Sequence, residues 1–151
     1  MYGRSRPSKV LRYLVAYYGL LQLSHLGFLG RALVSYLRAG TLPFPASPPD
    51  SGWSRQVLPF LFGMGAADAL AAGLGIIFAV LLVFKGRIKP ALGLVSLVIA
   101  LTSALVFTVG TIASGAWGSH PGEYVSLVIV FSPLPLLFAS LLGENQRKAI
   151  R

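Results

Sequence analysis

The chain contains no cysteine, and Asp and Glu together number four among 151 residues. The first absence excludes disulfides, thiolate metal sites and cysteine nucleophiles. The second, with only two histidines, leaves ligands too few and too dispersed for a metal centre. Charged residues of either sign are scarce at 11% of the chain. The glycine-rich stretch 63–75 lies inside an apolar run, and no Gly-Lys-Ser/Thr follows it, so it is not a phosphate loop. A bis-histidine haem is excluded on depth, because His25 falls mid-span and His120 in a loop. No Ser-His-Asp arrangement is expected, since Ser24 and His25 point to different sides of one helix. The cysteine motifs of tetraspanin-type proteins are missing, and no other motif names a family.

What is present is apolar length. Hydrophobic residues make up 55% of the chain, concentrated in four stretches at 11–37, 57–84, 91–116 and 124–142. A span needs about 20 mostly apolar residues. The sequence therefore predicts an all-α integral membrane protein, a single four-transmembrane-helix bundle covering residues 1–151. The first stretch follows the basic segment Arg4-Ser5-Arg6-Pro7-Ser8-Lys9, but it is too long for a secretory signal and lacks a good cleavage site.

The net charge of +9 is placed asymmetrically. Arg4, Arg6, Lys9 and Arg12 precede the first helix, Lys85, Arg87 and Lys89 fill the 2–3 turn, and Arg147, Lys148 and Arg151 end the chain. All fall on one side of a four-span topology. The positive-inside rule then puts both termini in the cytoplasm, in an inner or plasma membrane. Those cations suit anionic lipid headgroups, and nucleic-acid binding is not expected.

Pro90 is placed to start the third helix, and Ser132-Pro133-Leu134-Pro135 predicts a kinked fourth helix. The outer loop 39–54 carries Pro43, Pro45, Pro48 and Pro49, with Phe44 and Trp53 as apolar anchors. Two expectations remain open for it, a stiff cover across the outer mouth or a surface loop resting in headgroups. Trp53, Trp117, Tyr36 and Tyr124 are expected at the outer interface and Tyr13 at the inner one. Small residues mark the expected packing faces: Gly65, Ala69 and Gly73 on helix 2, and Gly93, Ser96, Ala100 and Ser103 on helix 3.

Ionisable residues inside spans are costly and are the functional leads. Counting from helix centres puts His25 and Asp68 at similar depth, so they form a candidate intramembrane polar pair. Such a pair either fixes helix register or carries protons. Gln22 shares the His25 face with Tyr18, Leu29 and Ala32 and supports it. Arg31 faces another side and is expected to snorkel outward, or to reach Glu123 or Asp68.

The primary functional expectation is a non-catalytic accessory or structural subunit of a larger membrane complex, partnered by other integral membrane subunits. The alternatives are a small oligomeric proton-linked transporter or ion carrier using His25 and Asp68, with homo-oligomerisation to enclose a path, and a lipid- or quinone-binding membrane protein. No catalytic residue and no resident cofactor or metal is expected; a bound lipid or quinone is the one ligand class considered.

Overall fold

A computed structural model of the chain describes residues 7–42, 47–55 and 57–149, the last three by backbone alone. Arg4, Arg6, Arg151, Pro43, Phe44 and Pro45 lie outside the described residues, as do the side chains of Arg147 and Lys148. The described chain is helical, with no strand: α1 Lys9–Ala39, α2 Leu58–Val83, α3 Pro90–Ala113, α4 Ala116–Ser119, α5 Pro121–Phe131 and α6 Leu134–Ala149. Three stretches are long and apolar enough to cross a membrane: Leu58–Val83, Pro90–Ala113 and the combined Pro121–Gln146. α1 is longer than any of them at 31 residues. It is less apolar because Gln22, Ser24, His25 and Arg31 interrupt it.

Each boundary has a local cause. Ser8 caps α1 by accepting from the Leu11 amide at 3.1 Å, and Gly40 ends it in the left-handed conformation. The predicted turn after α2 closes on Gly86 at φ 60, whose amide bonds Leu82 O while Arg87 N reaches back to Leu81 O. These two bonds take up carbonyls at the end of α2, and they need at residue 86 a residue tolerant of positive φ. Pro90 then opens α3 at a position where a missing N–H costs nothing. α3 stops at Ala113, short of the expected 116, because Gly115 adopts φ 79 and starts the short α4.

The last predicted span, 124–142, begins earlier at Pro121, runs on to Ala149, and is interrupted at Ser132-Pro133. Pro133 cannot donate to Ile129 O. The Ser132 hydroxyl takes that carbonyl instead at 2.8 Å, and Tyr17 of α1 donates to Val130 O at 2.6 Å. Neighbouring side chains thus satisfy the carbonyls that the break releases.

α1, α2, α3 and α6 close on one another; α5 packs mainly with α4. The seam of α1 runs Leu11, Val15, Tyr18, Gln22, His25, Leu29 and Ala32, in steps of four and three. That 3.5-residue repeat keeps one stripe facing a neighbouring helix. The main core lies toward the end bearing Lys9, Arg12, Lys85, Arg87 and Lys89. It joins Leu11, Val15, Tyr18, Phe78, Leu82, Leu97, Leu134, Leu137 and Leu141. Arg12 ties this basic end together by donating to Val83 O at 3.1 Å. A smaller cluster at the loop end gathers Trp53, Phe107, Trp117 and Leu127 around Ala116 and Tyr124. Tyr124 is therefore interior, not at an outer lipid interface as its position suggested.

The packing face of α2 also differs from expectation. Ala69 is exposed, and a methyl group built on Gly73 would meet nothing within 4 Å. Gly65 is touched only by Leu29, at 3.5 Å from such a methyl. Steps of four drift round a 3.6-residue helix, and the buried stripe instead follows Met64, Ala71, Ala72, Gly75, Phe78 and Ala79. On α3, Gly93, Ser96, Ala100 and Ser103 are buried. A methyl on Gly75 would fall 2.9 Å from both Ser96 Oγ and Tyr18 Cε1.

Gly75→Ala should therefore lower the thermal unfolding midpoint in detergent, through overpacking of about 1–3 kcal/mol. Gly73→Ala should leave it unchanged or slightly raised. Equal midpoints for the two variants would refute the assigned face.

Candidate functional site

Asp68 occupies the step of the α2 stripe between Met64 and Ala71, and His25 occupies the matching step of α1. Their side chains meet, with His25 Nε2 3.3 Å from Asp68 Oδ2 and each side chain 15% exposed. Arg31 joins neither carboxylate: it is exposed on α1, and Glu123 is engaged elsewhere. Gln22 is buried one turn from His25, beside Tyr18. The Tyr18 hydroxyl lies 2.6 Å from Ser96 Oγ, which donates to Ala71 O at 2.7 Å. A connected polar layer thus ties α1, α2 and α3 together on the loop side of the main core.

The His25–Asp68 pair stands on the wall of a cleft of about 510 Å³. Its other walls come from α3 (Ala100, Ser103, Ala104, Phe107 and Thr108) and from α5 (Leu127, Val128 and Phe131). The cleft follows from the interrupted last span: α6 closes against α1 and α3, whereas α5 stands away from them. Trp117 and Tyr124 line its loop end, stacked with centroids 5.4 Å apart. Ser24 also lines the cleft. In the opposite direction the cleft is blind. Below Gln22 the seam continues as Tyr18, Val15 and Leu11 inside the apolar core, a plug about 10 Å deep at 1.5 Å per residue.

Ser103, read from sequence only as a small packing residue, is among the residues that line the cleft. Its hydroxyl is buried and has no hydrogen-bond partner among the described residues. Nearby hydroxyls behave differently. Thr108, Thr111, Ser126, Ser132 and Ser140 each donate to a carbonyl three or four residues back. No sequence signal separates Ser103 from these, because the distinction is one of side-chain direction.

At the loop end, residue 47 is fastened to the start of α5. Ser47 donates to Glu123 through its amide at 2.8 Å and its hydroxyl at 3.1 Å, and Tyr124 donates to Ser47 O at 3.0 Å. His120 Nε2 lies 3.9 Å from Asp50 Oδ1. A second cavity of about 590 Å³ lies beside this segment, lined by residues including Trp53, Phe60, Phe107 and Thr111. Among the described residues no group of three His, Cys, Asp or Glu side chains could hold a metal ion. No protein-family model, curated protein or solved structure matches the chain.

A double-mutant cycle of His25→Ala and Asp68→Ala, read by unfolding in detergent, should return a coupling of about 0.5–2 kcal/mol. Additive losses would mean that the two residues do not interact in solution. Separately, Glu123→Ala should speed amide hydrogen exchange at residues 47–54 while leaving α2 and α3 protected. Unchanged exchange would show that the Ser47 contact does not hold the loop.

Proposed function

We propose that this chain is a four-span membrane protein that holds a lipid-soluble molecule with a polar end in the cleft beside His25 and Asp68. In this reading α1 is the remaining span, and α5 with α6 forms a single kinked span. The basic end and both termini face the cytoplasm, where Lys9, Arg12, Lys85, Arg87 and Lys89 meet anionic lipid. The observation that carries the reading is the cleft: mostly apolar, with the His25–Asp68 pair on its wall and the apolar core closing its basic side. Its 510 Å³ falls within the range of about 300–1,000 Å³ common to small-molecule sites.

The blind end favours binding over proton-linked transport. A carrier needs a polar route on to the basic end, and beyond the Gln22–Tyr18–Ser96 layer the Val15, Leu11, Leu82 and Leu141 packing of the apolar core offers none. The accessory-subunit reading has separate support on the outside of α1. Arg31 is exposed there, and methyls on Gly27 and Gly30 would meet nothing within 4 Å. A cation beside bare glycines suits close approach by a helix of another subunit. The two roles are compatible, a non-catalytic subunit being able to hold a ligand for its complex.

The test is gentle extraction of the tagged protein from its own membrane, with mass spectrometry of retained small molecules and co-purifying proteins. The wild type should retain a lipid-soluble species near one per chain, and Ala104→Phe, which fills the cleft, should lose it. Identical lipid profiles for the two proteins would end the binding reading. Stoichiometric protein partners would establish the subunit role.

A further inference from the structure

One cation of the chain sits where a membrane protein seldom leaves one. Leu29 of α1 packs against Gly65, seven residues inside the start of α2. Arg31, two residues on, therefore lies about 7 Å short of that start, within the apolar span. It is exposed on the outside of α1. The Cα–Cβ bonds of a helix tilt toward its N-terminus, which in α1 is the basic end. Reaching the loop-side headgroups thus runs against the direction of the side chain. A guanidinium left unpaired at this level is costly, and a carboxylate is the usual remedy.

The chain has four Asp and Glu residues. Asp68 faces His25 and Asp50 faces His120. Glu144 belongs to the basic end, where Leu141 packs on Gly93. Among the described residues Arg31 makes no ion pair with any of them. Glu123 is the one with capacity to spare. It is exposed and takes a single bond from Ser47 on each oxygen, whereas a carboxylate can accept about four.

Arg31 and Glu123 also stand at one level. The Tyr18–Ser96 hydrogen bond sets the register of α1 against α3. From it Arg31 is about 20 Å outward along α1, and Phe107 about 16 Å outward along α3. Tyr124 stacks on Phe107, and Glu123 is the next residue outward. Both charges further share the edge where α1 meets α5. Tyr17, which bonds the Val130 carbonyl, precedes Arg31 by two heptads, a drift of only about 40°. Glu123 precedes Val130 by one. Between the two charges this edge exposes Phe28 and Val128.

A twofold axis along the membrane normal keeps every residue at its level and reverses the order of helices along an edge, so that α1 of each copy opposes α5 of the other. We propose that this edge is the interface of a parallel homodimer in which Arg31 of each copy pairs with Glu123 of the other. The partner approaching Arg31 is then a second copy of this chain. The proposal rests on the four-span orientation above and is independent of what the cleft holds.

Because the chain has no cysteine, Ser54→Cys, at an exposed loop position, supplies a unique labelling site. Donor- and acceptor-labelled copies are mixed in phosphatidylcholine vesicles at high lipid dilution, and energy transfer is measured. With residues 31 and 123 unaltered, transfer should rise linearly with acceptor fraction, as for a dimer. Arg31→Glu or Glu123→Arg alone should weaken association about tenfold, since each sets like charges opposite one another twice. Donor copies with Arg31→Glu mixed with acceptor copies with Glu123→Arg should recover the original transfer, because that mixture restores both attractions. A pair formed within one chain could not produce this recovery. No transfer in the unaltered protein, full transfer in both single variants, or no recovery in the mixture each overturns the proposal. Circular-dichroism melts identify a variant that has not folded. In that event Arg31→Gln, a neutral change on an exposed surface, should still lower transfer, and unchanged transfer overturns the proposal. Retention of a lipid-soluble species is read separately on extraction, so the dimer and the cleft reading fail independently.

Discussion

A polar group on a membrane-embedded helix must find its partner within the protein, and that requirement organises this molecule more than apolar packing does. Lipid tails compete on equal terms with leucine, so burying leucine does not by itself choose a helix arrangement. Hydrogen bonds do. Tyr18, Ser96 and the Ala71 carbonyl pin three helices at one level, and His25 with Asp68 pins two of them again. Tyr17 reaches across to Val130 where the last span is broken. Each contact joins segments distant in sequence, and together they set the register in which Gly75 and Gly93 admit close neighbours.

Much of this was legible in the residues. Apolar length indicated helices able to cross a membrane, and the glycine and proline positions marked the α2–α3 turn and the break in the last span. Depth counting placed His25 and Asp68 at one level because helical rise is constant. Other features were hidden. The four-residue glycine–alanine spacing on α2 looked like a packing face, but only a 3.5-residue seam stays turned toward one neighbour. The cleft was invisible because it comes from α5 not following α6, a matter of path and not of composition. Ser103 looked like its neighbours for the same reason: direction, not residue type, sets its role.

The arrangement of apolar clusters gives the cleft its character. The larger core seals the basic end with leucines from α6 and the first turns of α1. The smaller aromatic cluster covers the loop end. Between them lies the level of the His25–Asp68 pair. Helices that met along their whole length would have closed this space, leaving His25 and Asp68 as a register lock and nothing more. Because α5 stands off, the same pair borders a volume.

The break at Ser132-Pro133 divides the last span into an anchored half and a half held mainly at its far end. α5 has 11 residues, so it is a lever about 16 Å long. A change of only about 10° at the break would carry its tip about 3 Å sideways. That tip bears Glu123 and Tyr124, both bonded to Ser47. The width of an internal space and the position of a surface loop are thereby geared to one another through a single pivot.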